Sequence, residues 1–221
     1  MRVLVIGDVH GKIGGYFDRI TKFLDRHKHL ADEDLYSIQL GDFGFGDTYM
    51  QSKNRFERSR RLDSDKHVFL GGNHDDYDEY DEAVGSLGDF GQVPFIENSF
   101  FVRGAKSIDE DARTVGHDWW RAEELGWKRS KEAIERYVEV EPEVMFSHDA
   151  PQSVAGQMFP SKTNFETHTG KMLEEMFKRH KPEKWLFGHW HKTKTMNIDE
   201  TAFQCLGELE TINLIQENEK K

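Results

Sequence analysis

The chain has 221 residues, with 41 acidic against 30 basic side chains, a formal charge of −11 and one cysteine. That length supplies one full hydrophobic core, so a single domain over residues 1–221 is expected. The acidic balance argues against long-range attraction to duplex nucleic acid or to a membrane surface, no apolar stretch approaches the roughly 20 residues of a membrane span, and the lone Cys205 excludes an intramolecular disulfide framework and points to the cytoplasm.

The first element is RVLVIGD (2–8), too short for a signal peptide and read as a strand. In GYFDRITKFLDRHKHL (15–30), Tyr16, Ile20, Phe23, Leu24 and His27 share one face, which predicts an amphipathic helix. Strands follow at LYSIQLGD (35–42) and HVFLGGN (67–73), and DDYDEYDEA (75–83) reads as a solvated acidic helix start in preference to a rim that repels polyanions. VPFIENSFFVRGAK (93–106) consists of short β-prone runs broken by polar residues, the pattern of antiparallel strands. A helix at 128–140, a strand EVMFSHD at 143–149, a helix at 164–180 and a strand KWLFGHW at 184–190 come next. The segment TKTMNIDETAFQCLGELETINLI (193–215) predicts further antiparallel hairpins in a second sheet, and the polar QENEKK a frayed end. Strand and helix alternate, so the class is α/β, a sheet covered by helices.

The polar residues that close these strands form a set. GDVHG supplies Asp8 and His10, GDFG supplies Asp42, and GGNHD supplies Asn73 and His74. SHD adds His148, and GHWH adds His189 and His191. In an extended segment residues two apart point to one side, so the last two imidazoles are expected to face a common point. Ligands of open α/β sheets gather at the carboxyl ends of strands. Three oxygen and four nitrogen donors, with His74 left over, exceed the four positions of one tetrahedral ion and suit two ions sharing a carboxylate. Mixed imidazole, carboxylate and amide donors favour Mn, Fe, Zn, Ni or Co over Mg or Ca. Gly7, Gly41, Gly72 and Gly188 precede the donors, where the backbone must turn or approach closely.

The order D-x-H, GD, GNH, H, GHxH resembles that of the calcineurin-like metallophosphoesterases, and GDVHG, GDFG, GNHD, SHD and GHWH carry the resemblance. It implies a four-layer αββα sandwich of two mixed sheets and a dinuclear centre of divalent transition-metal ions, manganese foremost in vitro. It also implies one ion on Asp8, His10 and His191, the other on Asn73, His148 and His189, with Asp42 bridging, and hydrolysis by a hydroxide between the metals. His74 resembles the family's histidine that binds phosphate and assists the leaving group, and Asp75 is expected to orient it by a hydrogen bond.

Departures from the family's protein-phosphatase branch narrow the substrate. GDFGFGD replaces GDxVDRG, so the usual phosphate-binding arginine is missing, and GNHD replaces GNHE. These features favour a phosphodiesterase acting on small or nucleotide-type esters. The alternatives are a phosphoprotein or broad phosphomonoesterase and, against the intact donor set, a non-catalytic interaction module. In the segment 102–127, Arg103 and Arg113 offer guanidinium groups for phosphate and Trp119 and Trp120 offer faces for a base. The plainer alternative is that these tryptophans pack and these arginines pair with nearby carboxylates.

Overall fold

The computed structural model describes residues 1–29, 35–46, 65–161 and 166–215, so the frayed end expected at 216–221 lies outside them. Its elements in chain order are β1 (Arg2–Ile6), α1 (Ile13–Arg26), β2 (Leu35–Gln39), β3 (His67–Phe69), α2 (Tyr77–Asp81), β4 (Phe90–Gly91) and β5 (Ser99–Val102). A 3₁₀ turn at Glu110–Ala112 precedes α3 (Trp127–Val140), β6 (Val144–Ser147), α4 (Gln152–Met158) and α5 (His168–Arg179). The chain closes with β7 (Lys184–Phe187), β8 (Lys194–Ile198), β9 (Thr201–Cys205) and β10 (Thr211–Ile215).

Two mixed sheets result, ordered β10-β1-β2-β3 and β4-β5-β6-β7-β9-β8. Alternation along β1 explains the layering. Val3 and Val5 join Ile38 and Val68 against Phe101, Phe146 and Leu186 of the second sheet, while Leu4 and Ile6 turn outward to Tyr16, Ile20 and Phe23 of α1. The outer face of the second sheet, with Met145, Trp185 and Phe203, is covered by Tyr137 of α3, Val154 of α4 and Leu173 and Met176 of α5. The arrangement is therefore α/β, helices outside two sheets packed face to face, as the family resemblance implied.

Local chemistry sets the helix limits. At the start of α5, Thr167 Oγ1 accepts the backbone N–H of Gly170 at 2.8 Å, a side-chain cap typically worth about 1 kcal/mol. Lys178 and Arg179 sit in its last turn, where positive charge suits the helix dipole. Asp76 caps α2 by accepting from Asp78 N–H, in line with the acidic helix start. The expected all-antiparallel pairing of 93–106 and 193–215 is corrected in part. β5 runs parallel to β6 and β9 parallel to β7, and β10 crosses to the first sheet beside β1. Among the described residues, only β4 with β5, β8 with β9 and β10 with β1 pair antiparallel. Pairing partners far apart in the chain leave no mark on local periodicity, which is why the pattern could not reveal them.

Candidate metal centre

β1, β2 and β3 run parallel in one sheet, and β6 and β7 run parallel in the other. Their carboxyl ends open toward one place, and each ends one to four residues before its first donor. The donors thus sit in loops rather than on strands. His189 (φ 64°) and His191 (φ 52°) are both left-handed, so the expectation that strand alternation aligns them is corrected. His10 (φ 47°) and Asp42 (φ 53°) share this conformation, which costs a non-glycine residue on the order of 1 kcal/mol or more. Four donor residues held this way mark a strained, functional loop cluster. Between the last two histidines, Trp190 anchors the turn: its indole N–H donates to Asp149 at 3.0 Å, and its ring stacks on Phe159 at 4.8 Å.

The donors fall into two groups. In the first, His10 Nε2 lies 2.9 Å from His191 Nε2, 3.9 Å from Asp8 Oδ2 and 3.7 Å from Asp42 Oδ2, and His191 Nε2 lies 3.4 Å from Asp8 Oδ2. In the second, His148 Nε2 lies 3.2 Å from both Asp42 Oδ1 and Asn73 Oδ1, and His189 Nδ1 lies 2.9 Å from Asn73 Oδ1. Neighbouring donors around an ion with bonds of about 2.1 Å are themselves about 3.0–3.4 Å apart, so both groups come close to coordination spacing. Asp42 belongs to both, one oxygen each.

Several observations fit cations here. Among the described residues, Asp8 Oδ2 and Asp42 Oδ2 have no hydrogen-bond partner although both are buried, a costly state for an isolated carboxylate. His148 Nδ1–H donates to the Leu40 carbonyl at 2.7 Å, which leaves Nε2 as the nitrogen turned toward the oxygens of Asp42 and Asn73 and the one that would ligate an ion once deprotonated. Burial pushes the Asp8 carboxyl up to about 8, against the pull of His148 and reinforced by Asp42. Burial also acts upward on Asp42, but the charge and hydrogen bond of His148 hold it well below the ordinary range. Burial lowers His148, and Asp42 and Asp8 outweigh it, raising the imidazole to about 10. Burial, with repulsion from His148, drives His189 down to about 3, which leaves a neutral ligand. Two adjacent buried carboxylates thus compete for positive charge, as metal sites do.

The motif glycines are needed for this approach. A Cβ on Gly72 would stand 2.8 Å from His148 Nε2 and closer still to Asp42, and one on Gly188 would collide with Asp8.

The other expected residues divide. His74 donates its backbone N–H to Asp42 Oδ1 at 2.8 Å, and its side chain faces a cleft over the donors. Asp75 does not orient it. That carboxylate is completely buried and accepts four backbone N–H groups, from Gly44 (2.7 Å), Phe45 (3.0 Å), Phe43 (3.2 Å) and Gly72 (2.8 Å). Its work is to tie the Asp42 loop to the Asn73 loop. Arg103 is a structural residue: buried, it donates to Asp89 at 2.7 Å and to the Ala122 carbonyl at 2.8 Å, with its guanidinium 3.8 Å above Tyr77. Arg113 lies at the site, its Nη1 and Nη2 each 3.1 Å from a ring nitrogen of His74 and its Nε held by Asp109 at 2.8 Å. A neutral imidazole has one acceptor nitrogen, so one of those two contacts at a time is a hydrogen bond. Burial lowers the His74 pKa, Asp42 opposes, and Arg113 adds to the lowering.

The cleft has a volume of about 280 Å³. Ile108, Ala150, Ala155 and Trp190 give it an apolar wall, with Asp109, Arg113 and Asp149 among its charged groups. Neither Trp119 nor Trp120 lines it, so the tryptophan that does is the one between the paired histidines.

Sequence reasoning missed two further residues. Asn73 Nδ2 donates to Ser107 Oγ at 3.0 Å, and Ser107 Oγ–H donates to Glu123 at 2.6 Å. No spacing rule links these positions.

Comparison with known proteins bears on the fold and the family. The putative 5′-nucleotidase of Staphylococcus aureus has a TM-score of 0.57 at 13% identity, over 98% of this chain and 51% of its own, so the chain spans about half that protein's length. GAP50, the anchor in the inner membrane complex of Plasmodium, has a TM-score of 0.55 at 11% identity, covering 94% and 71%. A predicted phosphoesterase of Streptococcus pneumoniae aligns over 94% of this chain and 72% of its own, at 12% identity and a TM-score of 0.39. At these identities the likeness to the first two speaks to the fold alone, and the third carries no argument. No curated protein matches the chain. The model described as calcineurin-like phosphoesterase matches residues 1–193, and on that match the chain belongs to the calcineurin-like phosphoesterase family, a family of metal-dependent phosphoester hydrolases.

Proposed function

We propose that the protein is a phosphodiesterase acting on small or nucleotide-type phosphodiesters with two divalent transition-metal ions. The observation that carries this reading is Asp42, whose Oδ2 faces His10 while its Oδ1 faces His148. Asp8, His10, Asp42 and His191 would hold one ion, and Asp42, Asn73, His148 and His189 the other. Such a pair, when bound, lowers the pKa of water toward neutrality and offsets negative charge on phosphate.

The chain's own side chains supply the remaining steps. Arg113, fixed through Nε by Asp109, presents its Nη edge beside His74 and is placed to hold a phosphoryl oxygen. His74 is placed to give a proton to the leaving alkoxide. Its lowered pKa leaves it neutral in the free site, and a phosphate anion alongside would restore its affinity for a proton.

Charge favours a diester. Among the described residues, Arg113 is paired with Asp109 and Asp149 also lines the cleft, so these residues leave little positive charge beyond the metals for a dianionic monoester. The apolar wall of Ile108, Ala150, Ala155 and Trp190 offers an uncharged surface for an ester group, and the overall charge of −11 disfavours long duplexes as substrates. Mixed nitrogen and oxygen donors suit Mn, Fe, Zn, Ni or Co alike, and manganese is the ion loaded for the assay. With manganese-loaded protein, kcat/KM for bis(p-nitrophenyl) phosphate is expected to exceed that for p-nitrophenyl phosphate. A monoester or phosphopeptide preference of about tenfold, some 1.4 kcal/mol in transition-state binding, would reverse the reading toward phosphatase.

A further inference from the structure

The amide of Asn73 can turn either end toward the second donor group, and only its oxygen can bind a metal. The structure has Oδ1 facing His148 Nε2 at 3.2 Å and His189 Nδ1 at 2.9 Å. The other side of the amide holds that orientation. Asn73 Nδ2 donates to Ser107 Oγ at 3.0 Å, Ser107 Oγ–H donates to Glu123 Oε2 at 2.6 Å, and the backbone N–H of Ser107 donates to Glu123 Oε1 at 2.9 Å. Ser107 is 1% and Glu123 3% exposed, so water does not compete for these bonds. A serine hydroxyl has one proton. Because Glu123 takes it, Ser107 Oγ can only accept from Asn73, and a reversed amide would set two oxygens against each other.

We propose that Ser107 and Glu123 are positioning residues that fix the direction of this hydrogen-bond chain and so preset Asn73 Oδ1 for the second metal ion. The inference rests on the reading of Asn73 as a ligand given above. The chain's polarity has a sharp consequence for Glu123→Gln, which keeps shape and reach. The backbone N–H of Ser107 claims the new carbonyl oxygen, so the new NH₂ must donate to Ser107 Oγ. The serine proton is then freed toward position 73, where it attracts the amide oxygen away from the metal.

Manganese binding followed by titration calorimetry and by the spin coupling of a Mn pair in electron paramagnetic resonance tests this directly. The parent chain is expected to bind two ions. Glu123→Gln should keep the ion at Asp8, His10, Asp42 and His191 and weaken the second by about 10- to 100-fold, with loss of the coupled signal. Ser107→Ala should weaken the second ion alone, through loss of the acceptor. Asn73→Asp supplies the discriminating arm. Its carboxylate needs a proton donor where the amide needed an acceptor, so it should strengthen second-ion binding more on the Glu123→Gln background than in the parent. Thermal melting of the metal-free variants separates this from misfolding, since a general packing defect would weaken both ions together. Two ions bound with parental affinity by Glu123→Gln, or an Asn73→Asp effect equal on both backgrounds, would overturn the proposal. A parent chain that binds fewer than two ions would instead refute the dinuclear reading beneath it.

Discussion

Gly72→Ala isolates the geometry of the centre from its chemistry, because it removes no donor and no charge. A Cβ at this position would lie 2.8 Å from His148 Nε2 and closer to Asp42 Oδ1 and the Asp42 backbone nitrogen, against the 3.4–4 Å of ordinary contact. Gly72 is absent from the residues with positive φ, so the effect is steric. Asp42 cannot retreat easily: it is fully buried, Oδ1 holds the His74 N–H at 2.8 Å, and its carbonyl accepts the backbone N–H groups of Val9 and His10. Donors at metal sites tolerate displacements of only about 0.2 Å, whereas relief here requires His148 to give about 0.6 Å and Asp42 more. The expected result is loss of stoichiometric manganese binding and a fall in kcat/KM for bis(p-nitrophenyl) phosphate of about 10²-fold or more, with an overpacking cost of about 1–3 kcal/mol. Gly14→Ala is the control, since its Cβ meets nothing within 4 Å and it lies in α1, where alanine adds about 0.5–1 kcal/mol of stability. A Gly72→Ala protein that binds two manganese ions and turns over at the parental rate would refute the close-approach argument.

His74→Asn should lower kcat by about 10²-fold or more while the two-ion stoichiometry persists, since the side chain faces the cleft and its backbone N–H to Asp42 is retained; equal loss of both would remove it from the chemistry. Asp89→Asn should destabilise the fold by about 3 kcal/mol in denaturant melts, because Arg103, 8% exposed, would lose its charged partner; a change under 1 kcal/mol would contradict this. Metal-free protein should lose stability between pH 7 and 9. Asp8 is raised from 3.8 to about 8 and His148 from 6.5 to about 10, so the native state holds more protons than the unfolded chain across that window. His189, lowered to about 3, acts only below 6.5, and Asp42, held low, acts only below 3.8. Saturating manganese, which binds deprotonated ligands, should flatten the slope, and a metal-free melting temperature that rises from pH 7 to 9 would show the signs to be wrong.

The strands and their closing motifs were readable because buried strands carry continuous apolar runs and stop at polar or glycine residues. RVLVI, LYSIQ, HVF, VMFS and KWLF all form where those runs fall. The donor set was readable for the same reason, since each donor follows a strand end. How His189 and His191 converge was not, because left-handed loop geometry depends on anchors such as Trp190 on Asp149 and Phe159, which pattern cannot show. Asp75 looked like a side-chain partner of its neighbour. Three of its four backbone bonds reach 30 to 32 residues back along the chain, and such contacts are a property of the packed loops alone. Arg103 and Arg113 are indistinguishable by composition, and Asp89 and Tyr77 withdraw one while His74 and Asp109 place the other at the cleft. The Ser107–Glu123 pair lay hidden because a serine and a glutamate 16 residues apart match no motif.

Anomalous diffraction from crystals of the manganese-loaded protein tests the centre most directly. Two peaks about 3.5–4 Å apart are predicted, one beside Asp8, His10 and His191, the other beside Asn73, His148 and His189, with Asp42 between them. A single peak under manganese saturation, or two peaks not joined by Asp42, would contradict the account.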